Sequence, residues 1–527
     1  MSPWVGWLAL GGLSSLSVSA FVGLLSFQTK SMDWQLLADP YLHHVVFFSL
    51  KQAALSALLS VGTGWPLARA LYVLPHVPGK AIFLILCILC FVMPTLIVVT
   101  GLVILFGKAG VLAPMLEMLS GGHWQLYGLS GILLAHVYLN MPFVVRVLYL
   151  AYQSIPESSW KLARQLKLSP TRRAMWVEWR GVRQGVLAVS GMVFVLCFNS
   201  FAIVLALGGG PKSATLEVAL YQALKYDFNM TEALLYAWVQ LLIAGGAFAL
   251  VARWGMPGWL GSSVREGSSP LSWRPRPGPF QKALLLAGYA AASLFLLAPI
   301  VAILVASTQV SLASLDWPLI LRSLGLTLGL AFASAVLALG LSWCVLLPAR
   351  RAARLQKTQK QLLLELWASH GLVLPAMVVS VGVFMLLLPR VDLDGQWPLW
   401  LLLVNVFLLV PFGVHKLRAY GYLYDQEYEA LSRSLKLTFW QRLGVEWRYL
   451  RRPMLSALTL LFLLAVGDVA VFSIFGNYQW PTLPWLIYRY AGSYQLGAAS
   501  VLSLLLLLFC FSTLAILSRT QRDRGHA

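Results

Sequence analysis

Charge is what this sequence has least of. Lys, Arg, Asp and Glu make up 11% of its 527 residues, where a water-soluble chain carries roughly 25%. Acidic side chains are scarcest, 19 against 39 basic ones. With 59% of residues hydrophobic and a mean hydropathy of +0.76, no water-facing surface could hide the apolar side chains, so lipid must be the main solvent. Cysteine is also sparse. All five (Cys87, Cys90, Cys197, Cys344, Cys510) fall in apolar stretches. The C-x-x-C at Cys87 and Cys90 has no second Cys/His pair at metal-binding spacing, so it reads as two small buried residues, and no metal site is expected. A nucleotide loop of the form G-x-x-x-x-G-K-[ST] is missing. The near match, Gly208-Gly-Gly-Pro-Lys212-Ser213, has Pro211 where the glycine is needed. The chain is therefore not expected to hydrolyse ATP or to bind a cofactor, and no His, Asp or Ser constellation points to an enzyme.

Long apolar runs are what it has instead. Twelve stretches approach the ~20 residues a bilayer requires: approximately 3–27, 45–71, 81–106, 126–150, 185–208, 233–252, 282–306, 319–347, 362–388, 397–417, 454–476 and 495–518, numbered here as spans 1 to 12. Period-two alternation is absent, which argues against a β-barrel. The first run lacks an A-x-A cleavage site and reads as a retained helix. The expected fold is thus an all-α polytopic membrane protein. Its basic residues alternate with the crossings. The even-numbered connections and the C-terminal tail hold about 30 of the 39, and the odd-numbered connections hold seven. By the positive-inside rule this places both termini and all even connections in the cytoplasm of a multi-pass protein, and the charge reports lipid contact, not nucleic acid.

The two halves of the sequence repeat one another. Pro94-Thr-Leu-Ile-Val-Val-Thr-Gly101 matches Pro375-Ala-Met-Val-Val-Ser-Val-Gly382, and Pro142-Phe143 matches Pro411-Phe412. Leu166-Lys167-Leu168 with Val177-Glu178-Trp179-Arg180 matches Leu435-Lys436-Leu437 with Val445-Glu446-Trp447-Arg448, one residue shorter between. Thr215-Leu216 and Tyr221 match Thr482-Leu483 and Tyr488. Six spans separate the partners, so the repeats are parallel, related by an axis along the membrane normal. The expected organisation is a six-helix half, 1–264, a Pro, Gly and Ser-rich linker, 265–281, and a second half, 282–527.

The connections after spans 4 and 10 carry helical patterns. Residues 157–168 place Trp160, Ala163, Leu166 and Lys167 at helical spacing behind Pro156, and residues 427–437 repeat this with Tyr428, Leu431, Leu435 and Lys436. Each predicts a short amphipathic helix on the basic side. Two equivalent copies point to a two-fold docking surface.

Here the chain resembles the permease subunits of type I ATP-binding-cassette importers, whose hallmark loop reads E-A-A-x3-G-x9-I-x-L-P. Lys161-Leu162-Ala163 and Ala430-Leu431-Ser432 take the opening triplet, Lys167 and Lys436 the glycine, and Val177 and Val445 the closing isoleucine. Trp179, Arg180, Trp447 and Arg448 stand at the closing Leu-Pro positions, so both glycines and both prolines are replaced. The wider context, including Tyr41-Leu-His-His-Val-Val, Tyr127-Gly-Leu-Ser-Gly-Ile-Leu-Leu-Ala-His136, Phe201-Ala202, Leu-Gly-Gly-Gly210-Pro211 and Phe475-Gly-Asn477, looks like thiamine importer permeases along nearly the whole chain. The resemblance implies coupling residues Glu157, Trp160, Lys161, Leu162, Ala163, Leu166, Lys167 and Val177 in one loop, and Glu429, Ala430, Leu431, Ser432, Leu435, Lys436 and Val445 in the other. It also implies a cytoplasmic ATPase dimer carrying the ATP and Mg, a periplasmic binding protein, and a bacterial inner-membrane location.

The expected cargo is thiamine, a small organic cation, and its phosphates stay open. Candidate path residues are Pro94, Ser200, Pro375 and Asp468, with Pro94, Pro375 and Pro411 permitting bends in their spans. Asp468, an intramembrane carboxylate beside Gly467, serves either helix packing or cation recognition. Glu217 and Asp227, outside the spans, are candidates for contact with a binding protein. Trp397, Trp400 and Tyr494 read as interfacial belt residues. The alternatives are a related permease for ferric iron, which the lack of a carboxylate cluster in the spans disfavours, and an ion-driven secondary transporter, which would not need duplicated docking loops.

Overall fold

The structure is a computed structural model that describes residues 3–26, 37–253 and 274–522. Among these there is helix and no strand. Spans 1, 2, 4, 5, 6, 7, 8, 10, 11 and 12 each contain a helix long and apolar enough to cross a membrane. Spans 3 and 9 do not follow the sequence expectation of one helix each. Span 3 divides into Lys80–Val92 and Thr95–Phe106, which meet at 106°. Span 9 divides into Thr358–Ala368 and Ala376–Leu387, joined through the tight turn His370–Leu372. Proline is the cause. Pro94 and Pro375 immediately precede the second segments with extended ψ values of 130° and 141°. A proline lacks the N–H that would continue the helix and drives its predecessor out of the helical region, and Met93 accordingly has ψ 134°. Pro142 and Pro411, by contrast, sit inside the unbroken helices Leu129–Gln153 and Leu393–Ser434, so the bend expected at Pro411 is not a break.

Spans 5 and 11 also end short of their expected limits at 208 and 476. Their helices stop at Phe198 and Val466, and six-residue helices, Ala202–Leu207 and Ala470–Phe475, follow. The interruptions fall at equivalent places in the repeat, Asn199-Ser200-Phe201 and Gly467-Asp468-Val469. Each half thus contains two broken spans.

The repeats interlock. Span 1 packs on spans 8 and 9 of the other repeat, and span 7 packs on span 3 and span 12. Gly101 of span 3 makes one crossing possible: a methyl group there would stand 2.8 Å from Cβ of Pro299 in span 7. Its repeat partner, Gly382, lies against Ala20 and Gly23 of span 1 in the same way. Lipid provides no hydrophobic drive between helices, so such close approaches supply the dispersion contact that holds them together. Spans 1 and 7, the first helix of each sequence repeat, are therefore exchanged between the two repeats. Most of the linker, 265–273, lies outside the described residues. Its end is tied down: Arg274 donates to the Tyr72 carbonyl at 3.2 Å and stacks over the Tyr72 ring.

At the face opposite the basic connections, short helices Leu216–Lys225 and Leu483–Gly492 open with the repeated Thr-Leu pair. The pair has a shared function in the fold. Ser49 Oγ of span 2 accepts the Leu216 N–H at 3.0 Å, and Thr327 Oγ1 of span 8 accepts the Leu483 N–H at 2.8 Å. Both satisfy an otherwise unpaired first-turn donor. Cys87 and Cys90 are buried and free, as expected. Trp397 departs from the belt expectation: it is buried and packs edge-on against Phe472, with centroids 6.0 Å apart.

The crossings predict a graded response. Gly101→Leu and Gly382→Leu should each cost about 1–3 kcal/mol of stability through overpacking, whereas Gly12→Leu, with open space around it, should be neutral. Thermal unfolding in detergent checks the order; equal midpoints for all three would remove the interlock.

Candidate coupling surface and translocation path

The predicted loop helix of the first half exists as Glu157–Gln165. Pro156 starts it, Glu157 places a carboxylate in its first turn, and Lys161 pairs with Glu157 at 2.8 Å. Trp160 and Ala163 face inward and are buried. Trp160 stacks on Tyr72, which stacks on Tyr152, so the helix is anchored to the basic ends of spans 2 and 4. The opposite face leaves Leu162 55% and Leu166 62% exposed.

In the second half the expected separate helix at 427–437 is instead the last part of one 42-residue helix, Leu393–Ser434. The repeat explains the difference, because Asp425 stands where the first half has the helix-breaking Pro156. The presented surface is nevertheless the same. Ser432 is buried like Ala163, while Leu431 is 53% and Leu435 60% exposed. Two matching pairs of leucines are thus exposed, one on each loop.

The lysines at the glycine positions are the clearest local result. Lys167 has φ 45° and Lys436 φ 49°, both left-handed. The Leu168 N–H reaches the Ala163 carbonyl and the Lys167 N–H the Arg164 carbonyl, the pattern that closes a helix around a left-handed residue. Leu437 N–H to the Ser432 carbonyl repeats it. Glycine suits this position for steric reasons, and lysine takes it at a cost. The extra residue that the first half carries in this loop is absorbed as a π-helical turn, Ala174–Trp179, leading into Arg180–Phe198; such a turn accommodates one inserted residue. The second half runs as regular helix from Phe439 to Val466. Val177 and Val445 are half-buried on these elements.

Ion pairs fasten the loops to the spans. Arg69 meets Glu178 at 2.5 Å, and the repeat partners Arg350 and Glu446 meet at 2.7 Å. The second half adds more. Arg350 also grips both oxygens of Asp425, at 2.6 and 2.9 Å, and Arg354 holds Glu429 at 2.8 Å. Glu365 of the divided span 9 pairs with Arg418 at 2.8 Å and accepts from Tyr422.

With this geometry in place, comparison with known proteins is decisive. The family described as "Binding-protein-dependent transport system inner membrane component" matches residues 60–256. The whole chain is 34% identical to the thiamine transport system permease protein ThiP of Escherichia coli, over 98% of this chain and 96% of that one. It is 33% identical to ThiP of Brucella abortus, over 100% and 96%, and 35% identical to ThiP of Haemophilus influenzae, over 93% and 91%. The chain belongs to this permease family. No solved structure matches it.

Of the path residues named from sequence, the fold brings two together. A methyl group on Gly467 would stand 3.1 Å from Pro94 Cα, so the span 3 break of one repeat faces the span 11 break of the other. Asp468 stands beside it. Its carboxylate accepts from the N–H groups of Val471 and Phe472, at 3.2 and 3.3 Å, and from Asn405 at 3.5 Å, so in this permease it caps the helix that restarts after the break. Ser200 and Pro375 occupy the equivalent breaks of span 5 and span 9. Glu217 corrects the sequence reading. It is wholly buried, and Gln240 of span 6 donates to it at 2.7 Å; burial pushes its carboxyl up to about 8. It cannot touch a docked protein. Asp227 is exposed.

Two stability tests follow from these contacts. Lys167→Gly and Lys436→Gly should each stabilise the permease by about 1 kcal/mol, by relieving a left-handed side chain. Arg350→Met should cost about 3 kcal/mol because it strands Asp425 and Glu446 together, and Arg69→Met less, because it strands one buried carboxylate, Glu178. Unfolding midpoints in one detergent rank the four.

Proposed function

We propose that this permease carries thiamine into the cell as the membrane subunit of an ATP-driven importer. The observation that carries the reading is full-length identity to permeases named for thiamine transport. The basic connections then lie in the cytoplasm with both termini, by the positive-inside rule. The paired leucines, Leu162 with Leu166 and Leu431 with Leu435, each dock one subunit of an ATPase dimer, which binds the ATP and Mg that this chain has no loop to hold. A binding protein in the periplasm delivers cargo to the opposite face.

Coupling works through levers. Closure of the ATPase dimer moves both loop surfaces. Trp160 with Arg69–Glu178 in the first half, and Arg350 with Asp425 and Glu446 in the second, pass that movement to spans 2, 4, 5, 8, 10 and 11. ATP shifts the equilibrium between inward and outward forms only through its different affinity for the two. The broken spans at Pro94, Ser200, Pro375 and Asp468 border the path, where irregular backbone is tolerated. Thiamine phosphates fall within the same reading as possible cargo.

Reconstitution with an ATPase and a binding protein tests this. Labelled thiamine should enter vesicles with ATP and stop with vanadate, while ferric iron should not be carried. Leu166→Glu combined with Leu435→Glu should lower uptake at least tenfold while membrane insertion stays normal. Undiminished ATP-dependent uptake in that double variant would refute the docking assignment.

A further inference from the structure

Two aromatic columns climb from the broken spans toward the outer face. In the first repeat, Phe201 at the span 5 break meets Tyr221 edge-on with centroids 5.3 Å apart, and Tyr221 meets Tyr226 at 5.8 Å. In the second, Phe472 beyond the span 11 break meets Trp485 at 5.6 Å, and Trp485 meets Tyr488 at 5.3 Å and Tyr478 at 6.0 Å. Tyr221 and Tyr488 are repeat partners on the two short outer helices, whereas the other rings of each column have no aromatic counterpart in the other repeat.

The columns converge. The Tyr221 phenol lies within electrostatic reach of Tyr226, Tyr478 and Tyr488. Lys225, one turn beyond Tyr221, crosses the seam to donate to the Ile474 carbonyl at 2.9 Å, its ammonium 5.1 Å from the Phe384 ring centroid. Tyr221 is buried and Tyr488 half-buried, while Tyr226 and Tyr478 are 68% and 59% exposed. The rings thus grade from a buried base at Tyr221 to an exposed aromatic lip at Tyr226 and Tyr478. Belt aromatics face lipid around a protein's perimeter; these four face one another across the two halves. Asp39, Asp227 and Glu232 act together on Tyr41 and Tyr236 at the same end of the molecule, and Asp227 follows Tyr226 directly, so negative charge gathers beside the lip.

We infer that Tyr221, Tyr226, Tyr478 and Tyr488 form an outer vestibule that receives the cationic thiazolium ring of the cargo, with Lys225 holding the seam shut until the cargo arrives. The inference rests on the thiamine reading and names the residues that reading lacks. A permanent organic cation keeps its charge without hydrogen-bond donors to water, and the faces of tyrosine rings are the neutral groups that attract it. The seam already accommodates one positive charge, the Lys225 ammonium over Phe384. Parting the halves toward the outward form breaks the Lys225–Ile474 bond, returns that ammonium to water and uncovers the rings for the incoming cation.

The test uses the full complex in vesicles with thiamine-loaded binding protein in excess. Tyr226→Ala combined with Tyr478→Ala removes two exposed rings without opening a core. Thiamine uptake should fall at least tenfold, ATP hydrolysis stimulated by the loaded binding protein should stay within twofold of wild type, and the paired Tyr→Phe variant should retain at least half the uptake. Wild-type uptake in the alanine pair would overturn the vestibule. So would a phenylalanine pair as defective as the alanine pair, since the ring faces would then not be what matters. Loss of stimulation together with uptake would make these tyrosines a protein-docking surface and overturn it likewise. If the wild-type complex carries no thiamine, the cargo reading fails first and this inference falls with it; if only the alanine pair behaves as wild type, the vestibule alone fails.

Discussion

Lipid offers a polypeptide backbone no hydrogen bonds, so every interruption of a helix in this protein has to be settled inside the protein. That constraint explains where the irregular segments lie. The breaks at Pro94 and Gly467 face one another across the repeats, away from lipid, and the carboxylate of Asp468 caps the helix that follows its break. The short outer helices begin on hydroxyls lent by spans 2 and 8. Irregular backbone is tolerated at such breaks because protein, rather than hydrocarbon, surrounds it.

The interlock of the first helices has a mechanical consequence. Span 1 rides on the second repeat and span 7 on the first, through crossings that only glycine permits at Gly23, Gly101 and Gly382. A rigid rocking of one sequence repeat against the other is therefore impossible without carrying an exchanged helix along.

Duplication also left the two levers unequal. The first is a separate helix hinged at Pro156 and anchored by stacked aromatics; the second is a rigid continuation of span 10, clamped by Arg350 and Arg354. Both still present a matching pair of leucines and a left-handed lysine. Under the docking proposed above, each loop surface has only to fit its own partner subunit, and the two anchors are free to differ.

Much of this was legible in advance. Apolar run length marked the spans, because bilayer thickness translates directly into residue count, and the repeat picked out the paired loop segments after spans 4 and 10, because both copies keep the same helical spacing. The helical spacing of Trp160, Ala163 and Leu166 marked an amphipathic helix, yet it grouped Leu166, which is exposed, with the buried Trp160 and Ala163. Hydropathy could not show that spans 3, 5, 9 and 11 are broken, since a run of apolar residues reads alike whether straight or bent at 106°. Nor could it place Glu217 in the core or Trp397 against Phe472, because burial of one side chain depends on which helix lies beside it. Sequence by itself determined the membrane class, the duplication and the paired loops, all properties of local pattern and length. Only the tertiary structure decided the exchange of first helices, the meeting of Pro94 with Gly467 and the convergence of the four tyrosines, because these are contacts between residues hundreds of positions apart that no local pattern encodes.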